Sequence, residues 1–365
     1  MSYNKSSNTF IWGAGHYGVL TTLDFKQKGI KVTGFIDSNA NQIKTKLELP
    51  VFTPEQALSS IKPYIIVAVQ KKFAVNVIAD FLKKSNLKEN EDYEYSELMP
   101  GTKIRNYFLQ LNKQEEFEEI KNIVEFFEKN PFSVYPYNFI YKYDCPYVFR
   151  DDDCKMYYVM HYNKKLYMPA EWDKEQTADY YRWLCIEQDI DSPHKYETEN
   201  YKVKKGDVIA DIGTAEGLWA LENVEKASKV YLFECEKIWI QALQKTFEPY
   251  KEKVEIVNKF VSNVTAKSKI TIDDFFKTSK INFIKADIEG AERELLLGAR
   301  NTLQCQNDMK ILLCTYHKEN DEVVFKEILE EYGFTTEYSK GYMLFWSDKK
   351  LKKPYLRKGL VRGSK

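Results

Sequence analysis

Carboxylates and glycines share one short stretch, Gly206-Asp-Val-Ile-Ala-Asp-Ile-Gly-Thr-Ala-Glu-Gly217, and about twenty residues later Val230-Tyr-Leu-Phe-Glu-Cys-Glu236 supplies further acids. The pattern predicts a strand, Val208 to Ile212, that carries Asp211 near its end, followed by a turn in which Gly213 and Gly217 permit close backbone approach to a ligand at a helix start. Asp211 and Glu216 beside that turn would repel a phosphate dianion, so a cationic or amine-bearing ligand suits it better. Glu234 closes the next strand, where the acid of a βαβ unit accepts hydrogen bonds from a ribose diol. A cation joined to a ribose describes S-adenosylmethionine, the ligand inferred here, with its ammonium near Asp211. Further on, Asp287, Glu289 and His317 are the groups able to make an acceptor hydroxyl nucleophilic.

These residues need elements to position them. The second half alternates strands and helices, which predicts a largely parallel sheet covered on both faces. Its expected strands are Val208–Ile212, Val230–Phe233, Val254–Val257, Ile281–Ala286, Ile311–Thr315, Thr335–Tyr338 and a last, antiparallel one at Tyr342–Trp346. Ligands of such sheets sit at the carboxyl ends of the strands, and that edge collects Asp211, Glu234, Asp287, Glu289 and His317. Asp287 and Glu289 share one face only if the strand stays extended there. His317 is the favoured general base; a divalent metal held by Asp287, Glu289 and His317 is the less favoured alternative, so no metal ligand is assigned. Just upstream, a helix from Ala178 stopped by Pro193 delivers His194, a candidate lid residue or an ordinary helix-terminating surface histidine. Glu292 and Glu294 are expected to decorate a helix's first turn.

The first turn, the Phe233-Glu234 strand end and the segment Lys285-Ala-Asp287-Ile-Glu289-Gly290-Ala-Glu292 together resemble the FkbM-type methyltransferase family, over roughly residues 185 to 347. The resemblance implies a class I methyltransferase Rossmann-like fold with an antiparallel last strand, S-adenosylmethionine as cofactor, and an O-methyltransferase acting on a sugar of a bacterial polysaccharide or glycosylated metabolite. The resemblance also implies a role for Glu292 beyond the helix's first turn.

Near the start, Thr9-Phe-Ile-Trp-Gly-Ala-Gly-His-Tyr-Gly-Val19 runs a short strand into a literal GxGxxG at Gly13, Gly15 and Gly18, with Asp37 ending the next strand at a ribose-binding distance. This stretch resembles the small Rossmann-like module of bacterial sugar-modifying proteins, which implies a nucleotide or nucleotide-sugar site; its glycines serve helix–strand packing equally well. Two doubly wound α/β domains are therefore expected: 1–100, then a helical connector and aromatic-rich β segment over 101–184, then 185–365. A nucleotide-sugar-binding scaffold with a non-reacting core, or an NAD-dependent oxidoreductase using the N-terminal glycines, are the other functions the sequence leaves open.

Apolar spacing at Phe108, Leu111, Phe117, Ile120, Ile123, Val124 and Phe127 predicts the connector helices. Asp151-Asp152-Asp153 invites a metal-binding glycosyltransferase reading, but a solvated hairpin turn is favoured. Lys plus Arg equals Asp plus Glu at 54 each, so no global field recruits nucleic acid or a membrane, and the partner expected is a small-molecule or saccharide acceptor. No apolar run is long enough to span a bilayer, and a cytoplasmic location is expected. The six cysteines form no CxxC pair and are read as reduced core thiols. The basic tail, Lys352 to Arg362, is expected to fold back because Leu356, Leu360 and Val361 would otherwise be exposed, which would bring Arg357 or Arg362 to an anionic acceptor.

Overall fold

The computed structural model describes residues 8–60, 63–69, 72–89, 91–99, 102, 104, 106–108, 120–130, 133–345 and 351–365. The chain divides into two compact units, Met1–Pro136 with Phe345–Tyr355, and Tyr137–Leu344 with Leu356–Lys365.

The first unit holds a six-stranded sheet ordered β3-β4-β2-β1-β5-β6. Its strands are β1 (Asn8–Trp12), β2 (Gly34–Ile36), β3 (Thr45–Lys46), β4 (Leu49–Phe52), β5 (Pro63–Val67) and β6 (Tyr93–Tyr95). Every pairing except β3 with β4 is parallel. The central strand alternates its apolar residues between two layers: Ile11 packs with Phe25, Phe35 and Ile66, while Phe10 and Trp12 pack with Ile65, Val67, Ile78 and Leu82. Thr53 starts the helix Pro54–Leu58 with a capping box closed by Gln56. Of the expected connector, Lys121–Lys129 is helical, with Ile123, Val124 and Phe126 buried; Leu111 and Phe117 lie outside the described residues.

The second unit begins with a three-stranded antiparallel sheet, β7 (Phe149–Arg150), β8 (Tyr157–His161) and β9 (Lys164–Tyr167). The Asp151 carboxylate turns β7 into β8 by accepting from the backbone N–H groups of Asp153 and Cys154, and Tyr167 Oη donates to it at 2.6 Å. The tri-aspartate is thus hairpin chemistry. Val159, Leu166 and Met168 bury against Ile209, Val230 and Phe283, which draws this aromatic segment into the same unit as the larger sheet rather than a separate connector.

That larger sheet comprises β10 (Val208–Ile212), β11 (Lys229–Phe233), β12 (Val254–Val257), β15 (Phe283–Ala286), β16 (Lys310–Cys314), β17 (Thr335–Tyr338) and β18 (Leu360–Ser364), while β13 (Phe260–Val261) and β14 (Lys269–Ile270) form a separate parallel pair. Its order is β12-β11-β10-β15-β16-β18-β17. The first five strands are mutually parallel and β18 runs antiparallel to both its neighbours. Alternate residues feed two layers: Ile209, Leu232, Phe283 and Leu312 on one face, Ile212, Phe233, Ile284 and Leu313 on the other. Burial on both faces is what the near-continuous apolar strands dictate.

The antiparallel strand is not at Tyr342–Trp346. Met343 makes only an isolated bridge with Arg357, Trp346 lies outside the described residues, and the place between β16 and β17 is taken by Leu360–Ser364. The tail folds back as its apolar residues require, with Leu356, Leu360 and Val361 buried. Its arginines do not reach outward. Arg362 is 4% exposed and donates to the carbonyls of Lys195 and Tyr196 at 2.6 and 3.0 Å. Arg357 donates to the Tyr316 carbonyl at 2.6 Å. All six cysteines are free thiols, but only Cys314 is buried, and Cys145 and Cys305 are exposed. Among the described residues no helix is long and apolar enough to cross a membrane.

Candidate active site

Parallel register places Asp211 of β10 directly beside Lys285 of β15. Both side chains point to the same buried face, and Lys285 Nζ lies 2.9 Å from Asp211 Oδ1 with 5% and 1% of the side chains exposed. Nζ also donates to the Gly213 carbonyl at 2.9 Å. Burial opposes charge on Lys285, but the carboxylates of Asp211 and Asp287 outweigh it and hold its pKa above the ordinary lysine value. The ammonium on Asp211 is therefore the protein's own. A lone charge in an apolar strand needs a partner in the neighbouring strand, and Lys285 inside Ile-Asn-Phe-Ile-Lys-Ala was the signal available.

The turn after β10 puts Gly213 and Gly217 at φ +71° and +84°. A Cβ on Gly213 would come 1.9 Å from the Asp287 carbonyl oxygen, and one on Gly217 would meet Phe247 and Leu243 at 2.8 and 2.9 Å. These glycines let protein backbone and side chains approach one another, where a ligand's approach was expected. Glu234 holds the turn by accepting from Ala215 N–H at 2.8 Å and Glu236 N–H at 2.7 Å, and each carboxylate oxygen keeps a further lone pair. Glu216 accepts from Tyr180 Oη at 2.9 Å and Leu218 N–H at 3.3 Å. Tyr180 comes from the helix Lys174–Glu187, started by Asp173 in a capping box with Gln176.

Asp211, Glu216 and Glu234 are all buried around one lysine. Burial raises the pKa of Glu216, and it pushes Glu187, at the end of the same helix, up to about 7 despite the pull of His194. A pocket with more buried carboxylate than cation lowers its energy by taking up a positive ligand, so the donor set fits the sulfonium and ammonium of S-adenosylmethionine.

The second cluster lies where β15 and β16 end. Asp287 accepts from Tyr196 Oη at 3.0 Å and from Tyr316 Oη at 2.9 and 3.0 Å, with His194 Nε2 3.4 Å away. Burial would raise its pKa, but His194, Lys285 and His317 overcome this and hold the carboxyl far below the usual range. Such a group stays ionised and is a poor proton acceptor. His194 is 2% exposed and lies 3.7 Å from Cys314 Sγ and 3.3 Å from Tyr316 Oη. It is a buried neighbour of Asp287 rather than a surface residue, because the turn that holds Pro193 folds inward onto β16.

The backbone does not stay extended after Asp287. Glu289 adopts φ +54° and Gly290 +94°, so Glu289 turns out to solvent with its side chain 94% exposed and shares no strand face with Asp287. His317 faces both: Nε2 lies 3.4 Å from Asp287 Oδ1 and 3.7 Å from Glu289 Oε2. Glu292 is fully buried rather than decorating a helix surface, with Oε1 3.0 Å from His317 Nδ1. Asp287, Glu292 and His317 offer donor atoms within 4.8 Å of one another, as do His194, Asp287 and Cys314. In the first group the two ring nitrogens address different carboxylates, Nδ1 that of Glu292 and Nε2 that of Asp287. Sequence reasoning gave no role to Tyr180 or Tyr316; nothing in a chain with 26 tyrosines distinguishes them.

In the first unit, Gly13 and Gly18 are both needed by the fold. A Cβ on Gly13 would meet Val69 at 2.6 Å, and one on Gly18 the Gly13 carbonyl at 1.8 Å, while Gly15 faces open space. Asp37 accepts from Ala14 N–H and Asn39 N–H, each at 2.9 Å.

A doubly covered sheet with one antiparallel strand inserted next to its edge, and an acidic glycine turn after β10, has the topology of the class I methyltransferase fold. Residues 207–340 match the family described as methyltransferase FkbM domain. This region is an FkbM methyltransferase domain, and the protein is an S-adenosylmethionine-dependent methyltransferase. No curated protein matches the chain in sequence. Solved structures similar to it include precorrin-6Y C5,15-methyltransferase from Geobacter metallireducens, at 12% identity and TM-score 0.32 over 45% of this chain and 83% of that one. An rRNA methylase from Streptococcus thermophilus gives 17% identity and TM-score 0.30 over 45% and 89%. Trm5b from Pyrococcus abyssi gives 12% and 0.32 over 58% and 56%.

Proposed function

We propose that the protein transfers a methyl group from S-adenosylmethionine to a sugar hydroxyl of a bacterial polysaccharide or glycosylated metabolite, with His317 as the general base. Asp211, Glu216 and Glu234 form the acidic cradle for the cofactor, on Gly213 and Gly217. When bound, that cofactor supplies an electrophilic methyl carbon on a positively charged sulfur. The chain's own task is to hold the hydroxyl in line with it and to remove the proton.

The single observation that carries the assignment is the inequality between neighbours. Asp287 is saturated by two tyrosine hydroxyls and held ionised, whereas His317 Nε2, buried 3.4 Å from the same carboxylate, makes no hydrogen bond. Asp287 serves as a fixed anion that steadies the imidazolium formed as the proton arrives. Glu289, exposed at the rim, is placed to meet the acceptor's other hydroxyls. The choice of a sugar rests on the family resemblance and on the N-terminal module.

Purified protein with radiolabelled S-adenosylmethionine and a panel of oligosaccharides and nucleotide sugars tests the reading. His317→Ala should lose turnover by roughly 10²-fold or more while binding the cofactor normally by calorimetry. Wild-type turnover in that variant would remove His317 from the chemistry.

A second site, for a nucleotide moiety, is proposed at Gly13, Gly15 and Gly18 with Asp37 toward its ribose. Its support is Gly15, whose open surroundings leave the turn's outer surface free for a ligand. Calorimetry with NAD and nucleotide sugars on wild type and Gly15→Val tests it, and equal heats from both would end it.

A further inference from the structure

Glu292 is the first residue of the helix Glu292–Gly298, a place where an acid ordinarily lies in water and gains from the helix dipole. Here it is fully buried. Oε1 accepts the Ile288 N–H at 3.0 Å, and Oε2 makes no hydrogen bond. A carboxylate withdrawn from water in this way is costly unless a positive or proton-donating group meets it. Arg293, the adjacent cation on its helix, is turned to Asp321 at 3.3 Å. The group that does meet Glu292 is His317, with Nδ1 at 3.0 Å, a distance at which a small ring rotation completes a hydrogen bond.

We propose that Glu292 is a positioning residue for His317: its carboxylate accepts the Nδ1 proton, fixes the Nδ1–H tautomer and aims Nε2 at the acceptor hydroxyl between Asp287 and Glu289. The inference rests on His317 being the base of the proposed reaction. The same logic, a buried carboxylate behind an imidazole whose far nitrogen does the chemistry, governs orientation in other histidine bases.

The proton balance is simple. The hydroxyl proton passes to Nε2 as its oxygen bonds to the methyl carbon, and the carbon–sulfur electron pair stays on sulfur. His317 is then an imidazolium between Glu292 and Asp287, and it releases the Nε2 proton to solvent past Glu289.

The charges facing the ring are Asp287 and Glu289 from the turn after β15, Glu292 from its helix with Asp321 behind it, and the Tyr316 ring at a centroid distance of 4.1 Å. Lys318 is engaged with the Gly290 carbonyl, and the Arg357 guanidinium lies on the carbonyls of Tyr316 and His317. Burial lowers the histidine pKa, but Glu292, Asp287 and Glu289 overcome it and hold it above the ordinary value.

With four histidines in the chain, ¹⁵N-histidine NMR of the full-length protein reads this directly, His317→Gln identifying the resonances. Wild type should show Nδ1–H when neutral. Glu292→Gln, which can still accept from Nδ1, should keep the tautomer but lower the titration midpoint. Glu292→Leu should lose the tautomer preference. Both should lower kcat at least roughly tenfold with little change in either KM, and the acid limb of the Glu292→Gln pH profile should move to lower pH. An Nε2–H tautomer in wild type, or an unshifted midpoint in Glu292→Gln, overturns the proposal. So does a shift of the His317 signals on adding magnesium or manganese that EDTA reverses, which would make a cation the occupant. If Glu292→Leu fails to fold, the Glu292→Gln result decides alone. The NMR test needs no acceptor, so absent methyl transfer would count against the proposed reaction and not against this contact.

Discussion

The two units each solve the same local problem, and they solve it with opposite electrostatics. In each, a central strand runs into a glycine turn, the first glycine N–H donates to the end of the adjacent strand (Gly13 to the Ile36 carbonyl at 2.7 Å, Gly213 to the Phe233 carbonyl at 3.0 Å), and an acid from that strand's end accepts a turn N–H. Asp37 takes Ala14, and Glu234 takes Ala215. There the likeness stops. The second turn adds Glu216 and buries Asp211 against Lys285, and only a six-residue helix, Leu218–Asn223, follows it. The first turn adds no acid and leads into a twelve-residue helix, His16–Gln27, whose N-terminal dipole favours negative charge. Backbone geometry is thus common to both turns, while the charge around each is set by its side chains.

Breaking the charge pair should separate the turns most. Lys285→Met leaves Asp211 and Asp287 without their buried cation and should destabilise the second unit by about 3–5 kcal/mol, visible as a lower melting temperature; an unchanged melt would mean that the pair is dispensable.

The equivalent acids come next. Glu234→Ala should weaken S-adenosylmethionine binding by roughly tenfold or more, since hydrogen bonds to a charged group are worth about 1.5–3 kcal/mol each. Asp37→Ala should leave that affinity untouched while lowering the first unit's stability. Calorimetry and denaturant melts of the two variants decide, and equal effects on affinity would erase the contrast.

A third consequence is a proton count. Burial pushes Asp211 and Glu187 up to about 7, so near pH 7 these two carboxyls are partly protonated. Binding of a cation favours their ionised forms, and protons should be released. Titrations in buffers of different ionisation enthalpy should show net release near pH 7 that fades above pH 8, where both groups are already ionised; proton uptake would contradict the cradle's assignment.

The smallest effect is expected at Gly15. Its φ of −82° suits any residue and its surroundings are open, so Gly15→Ala should change stability by no more than about 0.5 kcal/mol. A large loss would show that the first turn is as tightly packed as the second, where Gly213 tolerates no Cβ.

Much of this was legible from patterns that act at short range. The β10 and β11 strands, the GxGxxG turn and the acid at each second strand's end follow from hydrophobic runs and glycine spacing. What stayed hidden depends on partners distant in sequence. The ion pair of Asp211 and Lys285 needs the β10–β15 register. Burial of Glu292 needs His317, twenty-five residues on, and the inward turn of His194 needs the surface of β16. The antiparallel strand was misplaced for a related reason: Tyr342–Trp346 and Leu360–Ser364 are both short and apolar, and local propensity does not say which one pairs with β16.

That strand also sets an order of assembly. Among the described strands β17 pairs with β18 alone, and the sequence between them includes Phe345–Tyr355, which belongs to the first unit. A fragment cut at Leu344 would therefore lack more than a strand: β17 would have no partner, and the β16 edge, with its buried Ile311 and Leu313, would be open to pairing with another chain. Because β18 must insert between two strands already formed by earlier sequence, its docking is a late, non-local event of the kind that slows folding, and the sheet stays adhesive until it is complete.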